Sequence, residues 1–232
     1  MRVNTIKKIL SIILAAVLLF SLAACSQKTE KENTTAVSQT ATDNIPESSE
    51  NTENSTDKKI LVIYFSSANT TDVDVVSSAT PKAGGAGATG YIANYIHQKV
   101  GGDIEKLTPV KDYDTSYNVT LDEAKAERDS DGRPEFKELS VNPEDYDVIF
   151  IGYPMWWYTR PMIIYSFFDK YDFSGKTIIP FNTHEGSGDG GTYDEIKKDE
   201  PNATVLDGLA VRGGNAEKSD KGIDSWLGSL GY

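Results

Sequence analysis

The stretch DVIFIGYPMWWYTRPMIIYSFFDKY, residues 147–171, carries the features that decide the fold of this chain. Its first part, residues 147–154, is a continuous apolar run, which predicts a strand that is buried on both faces. Its last part, residues 160–171, has a proline near its start and predicts a helix. A buried strand that leads into a helix is the repeating unit of an α/β fold with a parallel sheet.

The same alternation of strand and helix continues on both sides of this stretch. Buried strands are predicted at residues 59–65 and 176–183, and a more polar edge strand at 103–110. A last strand is predicted at residues 203–211. The helices predicted between and after the strands are residues 91–100, 121–129, 192–198 and 218–230. The chain therefore reads as one α/β domain whose parallel sheet is covered by helices on both sides.

The first residues of the chain predict an export signal. Basic residues precede an apolar run at residues 9–20, which is too short for an ordinary membrane span. Small residues then lead to Cys25, the single cysteine of the chain. This pattern predicts a bacterial lipoprotein signal peptide over residues 1–24, with Cys25 as the acylated N-terminus of the mature protein. A plain secretory signal cut after an alanine is the alternative.

Residues 25–58 are polar and contain no aromatic residue, so they predict a disordered tether. The domain of residues 59–232 would then be extracytoplasmic and held at the cell membrane by its lipid anchor. The formal net charge is -12; removing the three basic residues of the signal leaves 20 basic against 35 acidic residues, or -15. Such a charge repels phosphate backbones, which excludes nucleic acid as a partner.

Three loops follow the predicted buried strands, where ligands bind in parallel sheets. The first contains SSANTT at residues 66–71 and GAGATG at residues 85–90, directly before a helix. Hydroxyl groups and glycines at a helix N-terminus favour phosphate binding. GAGATG has the G-x-G-x-x-G spacing, but residues 72–84 and the hydroxyl-rich segment separate it from the strand, which argues against a dinucleotide site. The alternative is an ordinary loop in which Thr89 caps the helix.

The second and third loops are also unusual in composition. Four large aromatic residues lie within residues 153–158, which favours stacking on a flat ligand ring. The alternative is that Trp156 and Trp157 fold back into the core. Residues 182–191 are rich in glycine, so their backbone can approach a ligand edge. His184 near Ser187 suggests a hydrolase, but the G-x-S-x-G pattern is not met, and two histidines with one cysteine give no transition-metal cluster.

Taken in order, YFSSANT, GATGYIANYI, IFIGYPMWWYTRP, YDFSGKTIIPF and THEGSG resemble the flavodoxin-like family, and most closely its bacterial long-loop members. The resemblance covers residues 59–232. It implies a flavodoxin-like three-layer sandwich with a five-stranded parallel sheet in order 2-1-3-4-5. It also implies FMN as a cofactor that is bound without a covalent bond.

The resemblance also implies which residues surround the FMN. Residues at the first loop and helix start would bind the phosphate: Ser66, Ser67, Gly87, Ala88 and Thr89. Residues of the aromatic loop would line one ring face and the N5 edge: Pro154, Met155, Trp156, Trp157 and Tyr158. Residues of the third loop would lie near the pyrimidine side: Thr183, His184, Glu185, Gly186, Ser187 and Gly188. Ala88 replaces an asparagine that is usual in the family.

The function that this resemblance implies is electron transfer by an FMN-binding, membrane-tethered protein. Its partner would be a redox protein or a small-molecule electron acceptor. An aromatic wall and negative surface charge would lower the reduction potential of the flavin. The alternatives are an NAD(P)H-dependent quinone-type reductase and a cofactor-free binding module on the same fold. No catalytic residue is assigned, although His184 and Tyr158 are candidate proton donors.

Overall fold

The computed structural model describes residues 58–67, 86–114 and 116–232. The predicted signal peptide, Cys25 and all of the tether except Lys58 lie outside the described residues. Residues 68–85 of the first loop also lie outside them, including Asn69, Thr70 and the first glycine of GAGATG. Within the described ranges, no helix combines the length and the apolar character that crossing a bilayer requires.

The described residues form alternating strands and helices. The strands are β1 (Ile60–Phe65), β2 (Asp103–Leu107), β3 (Val148–Pro154), β4 (Thr177–His184), β5 (Thr204–Val205) and β6 (Leu209–Arg212). The helices are α1 (Gly87–Val100), α2 (Tyr117–Asp129), α3 (Met162–Lys170), α4 (Thr192–Asp199) and α5 (Asp220–Leu230). Short 3-10 helices occupy Pro143–Asp145 and Gly213–Lys218.

The strands form one parallel sheet in the order β2-β1-β3-β4-β5, which confirms the predicted order 2-1-3-4-5. The predicted last strand at residues 203–211 is wrong in one respect, because it is divided into β5 and β6, which both pair with β4. The division lies near Gly208. A Cβ atom there would lie 2.5 Å from the Pro180 carbonyl oxygen, so the chain approaches β4 too closely for a side chain.

The core has two parts, one on each face of the sheet. Along β1, Leu61, Ile63 and Phe65 join one cluster, while Val62 and Tyr64 join the other. The first cluster includes buried residues of α2, α3 and α4, and the second includes buried residues of α1 and α5. Central strands that are buried on both faces explain their continuous apolar runs. The arrangement confirms the predicted three-layer sandwich.

The segment between β2 and β3 forms a small substructure at the edge of the sheet. Backbone hydrogen bonds join Val110 to Glu135 at 2.9 Å and Lys137 to Thr108 at 2.8 Å. The helix α2 lies between these two paired stretches. It begins at Tyr117 and not at residue 121 as predicted, because residues 117–120 continue the helix although Tyr117 and Val119 are exposed.

Candidate functional site

The carboxyl ends of β1, β3 and β4 lie side by side. In the parallel register Tyr64 pairs with Gly152, and Pro154 pairs with Thr183. The sheet order reverses between β1 and β3, since β2 lies on one side of β1 and β3 on the other. The loops that follow these three strands therefore meet at one edge, which is where ligands bind in open parallel sheets.

The start of α1 lies against the end of β4. The Thr89 hydroxyl is within hydrogen-bond distance, 2.7 Å, of the Thr183 hydroxyl. Thr89 lies in the first turn of α1, while the N-cap is Ala86, so the alternative in which Thr89 caps the helix is wrong. The methyl group of Ala86 has no atom that accepts a hydrogen bond from the first-turn amides. Of the remaining predicted phosphate residues, Ser66 is buried and Ser67 is half-buried beyond β1, and Gly87 and Ala88 are buried.

The aromatic loop forms a tight hairpin turn after β3. The Met155 amide donates to the Thr183 carbonyl at 2.8 Å, which ties the loop to β4. Trp156 and Thr159 exchange two backbone hydrogen bonds of 3.0 Å. Between them, Trp157 and Tyr158 have φ angles of 51° and 63°. Two positive φ angles at the centre of a two-residue turn are typical of a type I′ turn, where Asn-Gly is usual and large side chains are strained.

The three aromatic side chains of this turn have different environments. Trp156 is only 2% exposed, and its ring meets Phe65 at 5.2 Å and Tyr113 at 4.9 Å between centroids. The Trp156 indole therefore packs in the core of this structure, as the alternative had it for this residue, and its contact with a ligand face stays a prediction. Trp157 is half-buried, and its Nε1 donates to the Leu121 carbonyl at 2.9 Å.

Tyr158 is the aromatic residue that the turn presents outward. Its side chain is 77% exposed, whereas Pro154 and Met155 beside it are buried. A Cβ atom on Gly190 would lie 3.0 Å from the Tyr158 carbonyl oxygen, so the third loop passes directly against this turn. The backbone of the turn that carries the exposed Tyr158 ring thus lies next to the glycine-rich loop.

The third loop depends on glycine and on a neutral histidine. Gly186 and Gly188 have φ angles of 143° and 63°. The Gly186 amide donates to Nδ1 of His184 at 2.9 Å, which requires that Nδ1 carry no proton. Burial lowers the pKa of His184, which favours the same neutral form. Ser187 is half-buried in this loop.

The Glu185 side chain connects the third loop to the end of β6. Its carboxylate accepts from Arg212 Nε and from the Gly214 amide, each at 3.2 Å. Both partners lie at or just beyond the end of β6. These bonds fix the loop to the neighbouring strand, so Glu185 acts in this structure by holding the loop in place.

A hydrogen-bond network behind the third loop escaped the sequence analysis. The Asn182 side chain donates to the Gly188 carbonyl at 3.0 Å and accepts from the Tyr193 hydroxyl. The Tyr153 hydroxyl lies 2.8 Å from the Thr192 hydroxyl. Burial raises the pKa of both tyrosines, so both remain neutral hydrogen-bonding groups. Asn182 and Tyr153 lie within apolar strand sequences. A polar residue at a predicted buried position was the one feature of the sequence that could have indicated this network.

Arg160, which ends the aromatic loop, is a second residue that the sequence analysis missed. Its side chain is 1% exposed, and Nη2 pairs with Asp199 of α4 at 2.5 Å. The guanidinium lies 4.0 Å from the centroid of the Tyr165 ring. This buried cation connects the end of the turn to α3 and α4. In the described part of the chain, no group of three or more His, Cys, Asp and Glu residues is placed to hold a metal ion.

Comparison with known proteins decides the family. A family model described as flavodoxin matches residues 59–230. The chain belongs to the flavodoxin family. No curated protein matches it.

Solved structures agree with this flavodoxin assignment. A protein from Bacteroides eggerthii, classed as a flavoprotein, has 31% identity and a TM-score of 0.59, with 75% of this chain and 99% of that chain covered. A similarly classed protein from Bacteroides uniformis has 26% identity and a TM-score of 0.56, covering 72% and 98%. A flavoprotein from Lactobacillus acidophilus, in complex with FMN, has 19% identity and a TM-score of 0.52, covering 73% and 99%. The last similarity concerns the fold alone.

The edge of this flavodoxin sheet has groups that suit a flat, phosphorylated ligand. The first turn of α1 offers backbone amides and the positive end of the helix dipole to an anion. The turn with the exposed Tyr158 ring passes against the glycine-rich third loop at Gly190. The residues present therefore fit a flavin nucleotide, with a smaller aromatic wall than predicted because Trp156 is buried.

Proposed function

We propose that this flavodoxin binds FMN without a covalent bond at the carboxyl edge of β1, β3 and β4, and that it transfers electrons while tethered to the membrane. The observation that carries the proposal is the contact between α1 and β4: the hydroxyls of Thr89 and Thr183 lie 2.7 Å apart, which brings the α1 N-terminus to the end of β4. One ligand can therefore contact both. The FMN complex of the Lactobacillus acidophilus relative supports the choice of FMN.

The phosphate would bind at the first turn of α1. Amides of Gly87, Ala88 and Thr89 belong to this turn, and Ala86 before them has no capping side chain. First-turn amides and the positive end of the helix dipole together stabilise an anion. Ser66 and Ser67 follow β1 directly and would close the other side.

The ring system would lie between the aromatic turn and the third loop. Tyr158 would stack on one face, with Trp157 supporting the turn through its bond to Leu121. The backbone of residues 184–188 would face the pyrimidine edge. FMN supplies the redox chemistry when bound, and the chain supplies position and electrostatics. The formal charge of -12 makes a more negative flavin less favourable, so we expect a lowered reduction potential.

The test is a titration of the purified full chain with FMN, followed by quenching of flavin fluorescence. We expect saturable quenching. Tyr158→Ala should weaken binding about fivefold, because an aromatic stacking contact is worth about 1 kcal/mol. Tyr117→Ala is the matched control, since Tyr117 is also a solvent-exposed tyrosine, at 53%, but lies on α2. Absence of saturable quenching by the unmodified chain at tens of micromolar FMN would refute the proposal.

Electron transfer is separated from enzymatic reduction by a steady-state assay. A carrier loaded with FMN should oxidise NADH or NADPH with a quinone no faster than free FMN does. Activity well above that of free FMN would instead identify a quinone-type reductase. A protein that stays colourless after incubation with FMN would identify the cofactor-free binding module.

The membrane tether is tested at Cys25, which lies outside the described residues. We expect the full chain expressed in a bacterium to sediment with membranes and to incorporate labelled palmitate. Cys25→Ser should abolish the labelling and release the protein from the membrane, because the lipid is the anchor. Unlabelled wild-type protein would favour the plain secretory signal.

A further inference from the structure

A cavity lies in the substructure between β2 and β3. Its volume is about 270 Å³. The lining residues are Val110, Lys111, Asp112, Tyr113, Glu123, Glu127, Pro134 and Glu135. Small-molecule sites commonly have volumes of about 300–1,000 Å³, so this cavity falls just below that range and suits a small ligand or a single side chain.

The walls of the cavity are held together by hydrogen bonds. The Tyr113 hydroxyl donates to Glu127 at 2.7 Å, which joins the segment after β2 to α2. The Val110 amide donates to the Glu135 carbonyl at 2.9 Å, which joins the two ends of the substructure. The cavity is thus part of the folded structure, and its walls come from separate segments of the chain, the segment after β2 on one side and α2 with the stretch that follows it on the other.

The chemistry of the walls favours a cation. Four carboxylates and one lysine line the cavity. The lysine, Lys111, pairs with Glu123 at 3.1 Å, and its own side chain is 87% exposed. Burial and the nearby Glu123 raise the pKa of Glu127, while the hydrogen bond from Tyr113 and the charge of Lys111 lower it, and the net direction is upward. A cation bound beside Glu127 would favour the charged carboxylate that burial disfavours.

Two lining residues suit an apolar stem behind that charge. Val110 is 54% exposed, although it is a large hydrophobic residue, and Pro134 also lines the cavity. An alkyl chain between them would cover apolar surface that now meets water. Long basic groups bind in this way, with the stem on apolar surface and the charged head on carboxylates.

We propose that this cavity binds an alkyl guanidinium or alkylammonium group, with the charged head at Glu127 and the stem between Val110 and Pro134. The group belongs either to a free small amine or to an arginine or lysine side chain of another protein. The proposal does not depend on FMN binding. Tyr113 reports on the site, because its ring meets the Trp156 indole with 4.9 Å between centroids.

The experiment is an NMR titration of the full chain with butylguanidinium at constant ionic strength, following the Trp156 indole signal. We expect saturable shifts, and no saturation with butylurea, which has a similar shape without the charge. Glu127→Gln should weaken binding about tenfold, since one charge-assisted bond is lost. Glu138→Gln is the matched control, because Glu138 is exposed and does not line the cavity.

A second variant keeps the test valid if Glu127→Gln disturbs the fold. Val110→Phe leaves every charge in place and fills the cavity from an exposed position, so it should abolish saturation. Titration with N-acetyl-arginine methylamide distinguishes the two sources: tighter binding than butylguanidinium indicates a protein side chain, and equal binding indicates a free amine. Equal binding of butylurea, or equal effects of Glu127→Gln and Glu138→Gln, would overturn the proposal.

Discussion

The aromatic turn after β3 exposes the Tyr158 ring but holds that residue in a strained backbone conformation. The cost of this strain to stability can be tested. Tyr158 has a φ angle of 63° and an exposed fraction of 77%. A left-handed conformation costs an L-residue about 1–2 kcal/mol, and glycine avoids this cost. Glycine also makes the unfolded chain more flexible, which costs about 0.4–1 kcal/mol. Tyr158→Gly should therefore raise the free energy of unfolding by roughly 0.5–1 kcal/mol, because the exposed ring contributes little packing.

The assay is chemical and thermal unfolding of the FMN-free protein. For a domain of this size, such a gain raises Tm by about 1–4 °C. Tyr158→Ala is the control, since alanine removes the ring but keeps the backbone strain, and its Tm should stay near that of the wild type. Both variants should bind FMN equally weakly. If Tyr158→Gly is no more stable than Tyr158→Ala, the turn is not strained and the reasoning is refuted.

Three further predictions concern charged and titrating groups. Because folding lowers the pKa of His184, its contribution to stability is present above the unfolded pKa of about 6.5 and is lost as the pH falls through the folded value. His184→Asn should therefore reduce the difference between the free energies of unfolding at pH 7.5 and pH 5, and an unchanged difference would contradict this. Asp199→Asn should lower the free energy of unfolding by about 2 kcal/mol, because it leaves the buried Arg160 cation without its 2.5 Å partner, whereas Arg160→Met should lower it less. Urea denaturation measures both values, and the reverse order would contradict the account. Burial and Asp199 raise the pKa of Glu200 to about 7, so the contribution of Glu200 to stability is full below about pH 4.5 and is lost as the pH rises through 7. Glu200→Gln should therefore be more stable than the wild type at pH 8 and not at pH 4.5. An equal stability difference between variant and wild type at both pH values would contradict this.

Much of the fold was predictable because the central strands are buried on both faces. The apolar runs of β1 and β3 have no polar interruption, and the middle of β4, residues 178–181, is also apolar. The division of the last strand was not predicted, because the close approach of Gly208 to Pro180 depends on a residue that is distant in sequence. The start of α2 was missed because its first turn exposes Tyr117 and Val119, which weakens the apolar periodicity.

The site was predictable at the level of loops and less so at the level of side chains. The positions of the strand ends predicted which loops would meet. The side to which each indole points depends on the backbone of the turn, which the sequence did not predict. Trp156 and Trp157 are adjacent, yet one is in the core and the other bonds to Leu121. Arg160 was missed because a charged residue is rarely fully buried, and the sequence does not show its partner Asp199.

The most direct test of the central claim is an NMR titration of the full chain with FMN that follows the backbone amides. The account predicts that the largest shifts fall on three separate segments, residues 87–90, 156–158 and 184–188, and that riboflavin reproduces the last two but not the first, since it has no phosphate. Shifts confined to one segment, or shifts that are equal for riboflavin at residues 87–90, would contradict a site built from the ends of β1, β3 and β4.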